Sequence, residues 1–310
     1  MKNLVNVGII QPVINPDNAW GLTSEYDLNI NLLSAERVWD EILIGLIEML
    51  KVDGRPDIIL IPELHIPVSK IAQIKKFSKK YNVIIIGGVD FQVNPTNKKK
   101  IRNRGIICIP DAAGFLSSAL RISAMQFGKT YFTYMERNMF SKGIVGLGAC
   151  EADPEQNMYI FESEQLGNFG VMICSDIFDL ERIMLYQGRI HHLFIISLNK
   201  DLNTYFAMAE SLTRMLYCNV VICNTGHYGG SMAVSPYRNV NQRVIYKYIG
   251  QQMFNTHVIN IPLTKLEEAQ NFDFINEKNS HIPFKSSPPG YKKQINTRKI
   301  IEVVRKTSEI

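Results

Sequence analysis

Four nearly continuous apolar runs, each between five and seven residues long, constrain the fold of this 310-residue chain more than any other feature. Runs of this length fit strands that are buried on both faces, and they are far too short to cross a membrane as helices. Stretches with the three- and four-residue periodicity of amphipathic helices lie between them. Strands that alternate with helices predict an α/β fold with helices on the sheet faces. The runs cover residues 57–62, 83–89, 193–198 and 219–223.

Other segments predict further elements of this fold. The periodicity of residues 28–50 and 67–81 predicts two amphipathic helices that pack on a sheet. The strand that begins at residue 57 is expected to end at Pro62, because proline cannot donate a ladder hydrogen bond. Aromatic residues without clear periodicity are frequent in residues 115–148. This pattern predicts long loops folded over a cleft.

The positive charge of the chain is concentrated at its C-terminal end. The net charge is +5, and residues 281–310 carry seven Lys or Arg against two Asp or Glu, so residues 1–280 are balanced at 27 against 27. We therefore expect a single domain over 1–280 that does not bind nucleic acid, followed by a basic tail. An amphipathic pattern predicts a short basic helix from Thr297 onward. The tail either packs on a partner subunit or forms a mobile end.

Cysteine usage and the N-terminal residues favour a reduced, cytoplasmic protein. The five cysteines are odd in number and widely spaced, which argues against a disulfide framework. The sequence contains no Cys-x-x-Cys or Cys-x-x-His pair of the kind that holds structural zinc. The first residues lack the layout of a secretory signal. We expect a cytoplasmic location, no membrane segment, no metal and no cofactor.

Cys174 lies in the stretch where we place the chemistry, residues 167–182. The apolar run Phe169–Ile173 has the length of a buried strand and ends abruptly in the thiol. Ser175 or Asp176 could then cap a helix that extends to residue 188. Amides at a helix start lower the pKa of a thiol and would stabilise an oxyanion beside it. The alternative is a core cysteine, which is the default for a thiol without partners.

Glu63 and Lys129 give Cys174 two chemical partners. Glu63 follows an apolar run, and Lys129 lies in the region predicted to form loops over a cleft. The order and setting of the three residues resemble the nitrilase superfamily of carbon–nitrogen hydrolases. The resemblance covers most of the chain and is also carried by a first strand ending in Gln11, the Ile-Gly-Gly strand at 83–88, Asn103 before a turn at 111–114, Glu136, the Cys-Ser-Asp elbow at 174–176, Asn199, Gly-Gly-Ser at 229–231 and Ser-Pro at 235–236.

The resemblance implies an α-β-β-α sandwich of mixed sheets covered by helices, with a Cys-Glu-Lys triad. Attack on an amide carbonyl needs a thiolate, a group that carries its proton to the leaving amine, and positive charge at the developing oxyanion. Cys174 fits the nucleophile, and Glu63 fits the general base and acid. Lys129 and the backbone amide of Ser175 fit the oxyanion stabiliser. The resemblance gives Glu136 the role of holding Lys129 or positioning the substrate.

The same resemblance leaves the substrate open. Amides, nitriles and carbamoyl compounds, and acyl transfer to an amine, would all use these three groups. Four residues near them are candidates to line the pocket: His65, Tyr134, Asn199 and His227. The loop after Lys129 departs from the family pattern, since Tyr134 replaces a small rigid residue, which puts the pocket shape in doubt. Family members are usually dimers or larger assemblies, so the resemblance also implies a homo-oligomer.

Three other patterns compete with this interpretation. Phe-Gly-Lys-Thr at 127–130 ends like a phosphate-binding loop, but Ser123 stands where that loop needs its first glycine, and no strand is predicted to lead into it. Gly-Gly-Ser-Met-Ala at 229–233 approximates a serine nucleophile elbow without its last glycine. His191 and His192 would point to opposite faces of a strand, which favours one solvent-facing and one packed side chain over a metal pair.

A non-enzymatic function is the remaining alternative. The fold could serve as a specialised or inactive hydrolase module that binds a protein or nucleic-acid partner through its basic tail. A hydrolase would form an acyl adduct on Cys174, whereas a binding module would not.

Overall fold

The computed structural model describes residues 1–21, 26–110, 124–272, 281–293 and 301–305, and over these ranges the chain forms two β-sheets with helices on their outer faces. The first sheet contains β1 (Leu4–Gln11), β2 (Ile58–Ile66), β3 (Ile84–Val93), β4 (Lys100–Cys108), β5 (Ala124–Gly128), β6 (Glu151–Ala152) and β13 (Asn255–Pro262). The second contains β7 (Asn157–Phe161), β8 (Phe169–Ile173), β9 (His192–Ser197), β10 (Asn219–Asn224), β11 (Ser231–Val234), β12 (Val244–Tyr248) and β14 (Ile301–Arg305). The α-helices are α1 (Pro16–Ala19), α2 (Leu32–Lys51), α3 (Ile71–Tyr81), α4 (Tyr134–Lys142), α5 (Leu180–Tyr186), α6 (Leu202–Met215), α7 (Val240–Arg243) and α8 (Thr264–Asn271).

Both sheets are mixed. In the first sheet, β1, β2 and β3 run parallel, while β13, β4 and β5 pair antiparallel with their neighbours. In the second sheet, β8, β9 and β10 run parallel, and β7, β11, β12 and β14 pair antiparallel. The carboxyl ends of parallel strands meet at one edge of a sheet, where ligands bind in open α/β folds. The residues that follow β8, β9 and β10 therefore lie close together.

The layers follow from the alternation of apolar side chains along the strands. On β1, Val7 points between the sheets, whereas Ile10 points outward and packs with Ile42 and Leu46 of α2. The core between the sheets continues through the second sheet to α6, where Leu212 is fully buried. This arrangement is the α-β-β-α sandwich that was predicted.

The boundaries of several elements differ from the predictions. β2 continues through Pro62 to Ile66, because a bulge in the strand accommodates the proline. Within the predicted loop region 115–148, the described part contains β5 and α4. α4 is only nine residues long, so it shows little periodicity in the sequence. Residues 111–123, which include the predicted turn at 111–114, lie outside the described residues.

The helix after Cys174 starts later than predicted. Residues Cys174–Phe178 form a short 3₁₀ helix, and α5 begins at Leu180. The side chain that caps α5 is Asp179, which accepts a hydrogen bond from the amide of Arg182. Neither Ser175 nor Asp176 caps this helix, because both side chains bind another loop.

Part of the C-terminal segment packs on the body of the chain. Ile282 and Phe284 are buried in a small cluster with Tyr217, and Lys293 forms an ion pair with Glu267. These contacts bury apolar side chains that a free tail would leave in water.

The helix predicted from Thr297 is wrong over the residues that the structure describes there. Residues Ile301–Arg305 form β14, which pairs antiparallel with β7 at the edge of the second sheet. The sequence Ile-Glu-Val-Val-Arg is rich in β-branched residues, which favour strands over helices. Residues 294–300 and 306–310 lie outside the described residues.

Over the described ranges, none of the helices combines the length and the apolar character that crossing a membrane would need.

Candidate active site

Glu63 is presented by an irregularity of β2. The register between β2 and β3 shifts over residues 62–65, so that this part of β2 bulges opposite Gly88. A Cβ atom on Gly88 would lie 2.3 Å from the Cα atom of Glu63, so any side chain at this position would displace the carboxylate. Leu64 adopts a left-handed backbone with φ of 62°, which is uncommon for a bulky residue. Strained backbone of this kind tends to occur at functional sites.

Lys129 is enclosed by two carboxylates. Its Nζ atom lies 2.8 Å from Oε1 of Glu63 and 2.7 Å from Oε2 of Glu136, and the side chain is 1% exposed. Burial alone would lower the pKa of Lys129, but the charges of Glu136 and Glu63 reverse this effect and raise the pKa well above its usual value. Lys129 is therefore a fixed cation at neutral pH.

Asn103 also connects the two carboxylates. Its Nδ2 atom donates to Oε1 of Glu63 at 2.8 Å and to Oε1 of Glu136 at 2.9 Å. The other oxygen of Glu63, Oε2, accepts from the backbone amide of Leu198 at 2.9 Å. A carboxylate oxygen has two lone pairs, so Oε2 retains one position for a proton.

Glu136 belongs to the first turn of α4. Thr133 and Glu136 form a capping box, in which the hydroxyl of Thr133 accepts from the Glu136 amide and the Glu136 carboxylate accepts from the Thr133 amide. Burial would raise the pKa of Glu136, but Lys129 and the hydrogen bonds from Thr133 and Asn103 hold it below its usual value. The start of α4 therefore fixes the second carboxylate beside Lys129.

Cys174 lies at the end of β8, in the first position of the 3₁₀ helix. Its backbone is left-handed, with φ of 47°, and it is 2% exposed. The Sγ atom lies 3.2 Å from the hydroxyl oxygen of Tyr205 and 4.0 Å from Nδ2 of Asn199. Burial and the nearby charge of Glu63 raise the pKa of Cys174 to about 12, even though Lys129 opposes them. The resting group is a thiol, which needs a base before it can act as a nucleophile.

The residues after Cys174 hold the segment that carries Lys129. A carboxylate oxygen of Asp176 accepts from the amides of Thr130 and Tyr131 at 3.0 and 2.9 Å. The hydroxyl of Ser175 donates to the carbonyl of Tyr131. The backbone amide of Ser175 belongs to the first turn of the 3₁₀ helix, where amides have no acceptor within the helix. These hydrogen bonds of Ser175 and Asp176, called the clasp below, connect the segment of Cys174 to the segment of Lys129.

Asp176→Ala is expected to lower the free energy of unfolding by about 2–4 kcal/mol, because two buried amides would lose their acceptor. Asp176→Asn is the matched control, since its remaining oxygen can still accept from both amides. Denaturant titration of both variants checks this expectation. An alanine variant as stable as the asparagine variant would show that the clasp contributes little.

The four candidate pocket residues lie in different environments, and Asn199 is the one in contact with the thiol. Asn199 is near the thiol, whereas His65 is buried behind Glu63, with Nδ1 donating to the Glu63 carbonyl at 2.6 Å and burial lowering its pKa to about 4. Tyr134 is 82% exposed at the start of α4. His227 is half-buried, donates its amide to the hydroxyl of Thr225, and lies within electrostatic range of Asp17.

A cavity of about 220 Å³ opens beside Glu136. Leu64, which follows Glu63 in the chain, and Leu198, whose amide donates to Glu63, are part of its wall. The aromatic residues Trp20, Tyr26 and Phe91 form another part, and Asp17 adds a second carboxylate. Among the described residues of this wall there is no Lys or Arg. The cavity is therefore apolar and aromatic, with two carboxylates in its wall, of which Glu136 is paired with Lys129.

Three residues of the site have no clear signal in the sequence. Asn103 was noted only through the family resemblance, and Tyr205 and Asn224 were not singled out. Asn224 accepts from the amide of Asn199 at 2.9 Å and donates to its carbonyl at 2.8 Å, and so fixes the backbone beside the thiol. The position of Asn224 at the end of β10 was the one available signal, because polar residues at the ends of parallel strands meet.

The structure also bears on the phosphate-loop and serine-elbow patterns. β5 leads directly into Lys129, contrary to the prediction, but the lysine is occupied by two carboxylates and buried. Ser231 is buried in β11, where its hydroxyl accepts from the Asn224 amide. These contacts favour structural roles for both segments.

The expectation of one solvent-facing histidine at 191–192 is wrong, because both side chains are buried. His191 accepts from the Asn168 amide at Nδ1 and contacts Glu267 at Nε2. His192 donates to the Leu166 carbonyl, and burial lowers its pKa to about 3. In the described part of the chain, no group of three or more His, Cys, Asp or Glu side chains is arranged to hold a metal ion.

No known protein-family model matches this sequence, and no curated protein matches it. Solved structures do match. The NitN amidase from Nesterenkonia sp. AN1 has a TM-score of 0.59 at 9% identity, over 83% of this chain and 93% of the amidase. Saccharomyces cerevisiae Nit3, a member of branch 10 of the nitrilase superfamily, has a TM-score of 0.59 at 13% identity, over 86% and 93% of the two chains. XC1258 from Xanthomonas campestris, a CN-hydrolase superfamily protein, has a TM-score of 0.54 at 11% identity, over 87% and 94%.

The two-sheet sandwich is therefore similar in fold to these solved structures, which include a carbon–nitrogen hydrolase superfamily protein. More narrowly, the chain has the nitrilase-superfamily fold, as the sequence predicted. At these identities the likeness establishes the fold, and the chemistry depends on the residues of this chain. In one mutant of the Nesterenkonia amidase, acrylamide is attached to the active-site cysteine by Michael addition.

Proposed function

We propose that this protein is a thiol-dependent hydrolase that cleaves a non-peptide carbon–nitrogen bond through a thioester on Cys174. The observation that carries the proposal is the buried Lys129 held between Glu63 and Glu136, next to a buried thiol. Burying three charged groups together is costly and adds little stability compared with apolar side chains. A catalytic role accounts for the arrangement, since acyl transfer needs these three kinds of group.

Each step has a residue of this chain to perform it. Glu63 accepts the thiol proton as Sγ attacks the carbonyl carbon, and the oxygen that becomes anionic is stabilised by Lys129 and the Ser175 amide. Glu63 then gives the proton to the leaving nitrogen as the carbon–nitrogen bond breaks. Water loses a proton to Glu63 as it attacks the thioester, and the proton returns to the sulfur when the acid leaves. Glu136 holds Lys129 in place throughout.

We infer that the cavity beside Glu136 is the substrate pocket, because its wall includes Leu64, which follows Glu63, and Leu198, whose amide donates to Glu63. Its aromatic wall suits an apolar or aromatic group, and aromatic faces also attract cations. Asp17 adds negative charge to a wall whose described residues include no Lys or Arg, whereas the charge of Glu136 is balanced by Lys129, so an anionic substrate is disfavoured. We therefore expect neutral or cationic amides to be turned over in preference to anionic ones of equal size.

A panel of small amides, nitriles and carbamoyl compounds, in matched neutral, cationic and anionic forms, tests the proposal. Released ammonia or amine is measured, and intact mass with peptide mapping is used to find an acyl adduct. We expect turnover of at least one neutral or cationic compound and an adduct confined to Cys174. The other four cysteines are internal controls. Failure of the whole panel together with no adduct on Cys174, or an adduct only at another cysteine, would contradict the proposal.

A further inference from the structure

Tyr205 is the one residue of α6 whose polar atom contacts the candidate nucleophile. Asp201 caps α6 by accepting from the amide of Thr204, so Tyr205 stands in the first turn of a well-started helix. The residue is 3% exposed, and its ring packs edge-to-face on Phe178. The hydroxyl oxygen lies 3.2 Å from Sγ of Cys174. A buried tyrosine hydroxyl is expected to have a hydrogen-bond partner, and here that partner is the thiol.

The direction of this hydrogen bond follows from Asn199. Oδ1 of Asn199 accepts from the amide of Asp201 at 2.6 Å, which turns its Nδ2 atom toward Cys174 and Tyr205. Nδ2 of Asn199 is an amide nitrogen that can only donate, and its effect on the Tyr205 hydroxyl is to favour the ionised form, so it does not compete for the hydroxyl hydrogen. The hydroxyl hydrogen is then available to point at Sγ.

We propose that Tyr205 is a catalytic residue of the reaction proposed above: its hydroxyl donates a hydrogen bond to the sulfur of Cys174 and stabilises the thiolate that forms when the thiol proton leaves. The proposal rests on the proposed function for its catalytic consequence, but the hydrogen bond itself can be tested without turnover. In the described structure, Glu63 is engaged by Lys129, Asn103 and the Leu198 amide. Among the described residues, the sulfur has side-chain hydrogen-bond contacts with Tyr205 at 3.2 Å and Asn199 at 4.0 Å, and the hydroxyl of Tyr205 is the closer of the two.

The electrostatics around the sulfur support this role. Burial and the charge of Cys174 raise the pKa of Tyr205, so its hydroxyl stays protonated and remains a donor. The charged groups that act on the sulfur from other elements are Glu63, Lys129 and Glu136. The two carboxylates oppose a thiolate and Lys129 favours it, so a neutral donor adds stabilisation without changing the charge of the site.

Tyr205→Phe tests the proposal, with Tyr186→Phe as the matched control. The hydroxyl of Tyr186 is also buried, but it donates to the carbonyls of Val171 and Tyr159 and does not touch the thiol. Removing a hydrogen bond that stabilises the thiolate is expected to raise the thiol pKa by about one unit. The thiolate fraction then falls about tenfold, while the greater nucleophilicity of the more basic thiolate recovers part of the rate. Alkylation of Cys174 by iodoacetamide should therefore be about threefold slower between pH 7 and 9.

The measurement is the rate of Cys174 modification across this pH range, followed by peptide mass, with thermal melting of each variant. We expect Tyr205→Phe to be slower at every pH and Tyr186→Phe to match the wild type. On a substrate found by the panel, Tyr205→Phe should lower kcat/KM about tenfold and act mainly on kcat. Equal alkylation rates in the two variants would overturn the role of Tyr205, even if the wild type hydrolyses amides. Slower alkylation in Tyr205→Phe alone would support it, even if no compound of the panel is hydrolysed.

Discussion

Cys174→Ala is expected to lower turnover by a factor of about 10⁴ or more and to leave the fold intact. The residues around the sulfur offer no substitute nucleophile. The hydroxyl of Ser175 donates to the Tyr131 carbonyl, and the pKa of Tyr205 is raised by burial, so it stays protonated. Removing one buried sulfur leaves a small gap that costs about 1 kcal/mol. Thermal melting and ammonia release on the same preparation separate loss of chemistry from loss of fold.

Cys218→Ala is the control for this experiment. Cys218 is as buried as Cys174, and burial likewise raises the pKa of its thiol, but it lies between α6 and β10 away from the carboxylates. We expect this variant to lose a similar amount of stability and to retain turnover. Substantial turnover by Cys174→Ala would mean that another group forms the intermediate or that water attacks directly. Either result would remove the thioester from the mechanism.

The fold could be predicted from the sequence because its strands are buried on both faces. Runs such as 57–62 and 219–223 are apolar almost throughout, a pattern that few other elements share. The end of β2 could not be predicted in the same way. Pro62 is a sound signal for the end of a strand, but a bulge opposite Gly88 lets the strand continue. The bulge depends on Gly88, which is 26 positions after Pro62 and therefore outside any local pattern.

The structure of the C-terminal segment also depends on contacts that local sequence patterns do not contain. Residues Ile301–Arg305 carry apolar side chains at spacings compatible with a short helix. They form a strand that pairs with the edge of β7, and the sequence Ile-Glu-Val-Val-Arg is rich in β-branched residue types, which favour strands. Tertiary contact decided between two local structures that the sequence allowed.

The residues of the candidate site that could be predicted are reactive side chains that directly follow an apolar run. Glu63 and Cys174 each follow an apolar run directly, Glu63 as a carboxylate in apolar surroundings and Cys174 as a thiol followed by polar residues, so both could be predicted. Tyr205 was not, because a tyrosine on the apolar side of a helix is normally a packing residue. Its contact with the thiol depends on the direction of α6, which is set by Asp201 and by packing.

Lys129→Met is expected to lower the free energy of unfolding by about 3–5 kcal/mol, in addition to removing activity. Methionine fills a similar volume, but it leaves the buried carboxylates of Glu63 and Glu136 facing each other without a cation. The matched control is Lys51→Met, because the ion pair of Lys51 with Glu48 is exposed and should contribute less than about 1 kcal/mol.

The pH dependence of Lys129→Met distinguishes electrostatic loss from poor packing. In the wild type, Lys129 holds the pKa of Glu136 below its usual value, so this carboxyl contributes stability that is lost as the pH falls through its folded pKa. Without the lysine, burial and the charge of Glu63 should raise the pKa of Glu136 above its unfolded value. The folded variant then binds more protons than the unfolded chain, so its stability should increase as the pH is lowered from about 8 toward 5.

Adding Glu136→Gln to Lys129→Met should remove most of this pH dependence and recover about 1 kcal/mol or more, because one of the two unpaired charges is gone. Denaturant titrations of the single and double variants at pH 5 and 8 check both expectations. A loss of stability in Lys129→Met that is the same at the two pH values and unchanged by Glu136→Gln would mean that the lysine acts through packing. In that case, the buried charges would no longer be the feature that marks this site as catalytic.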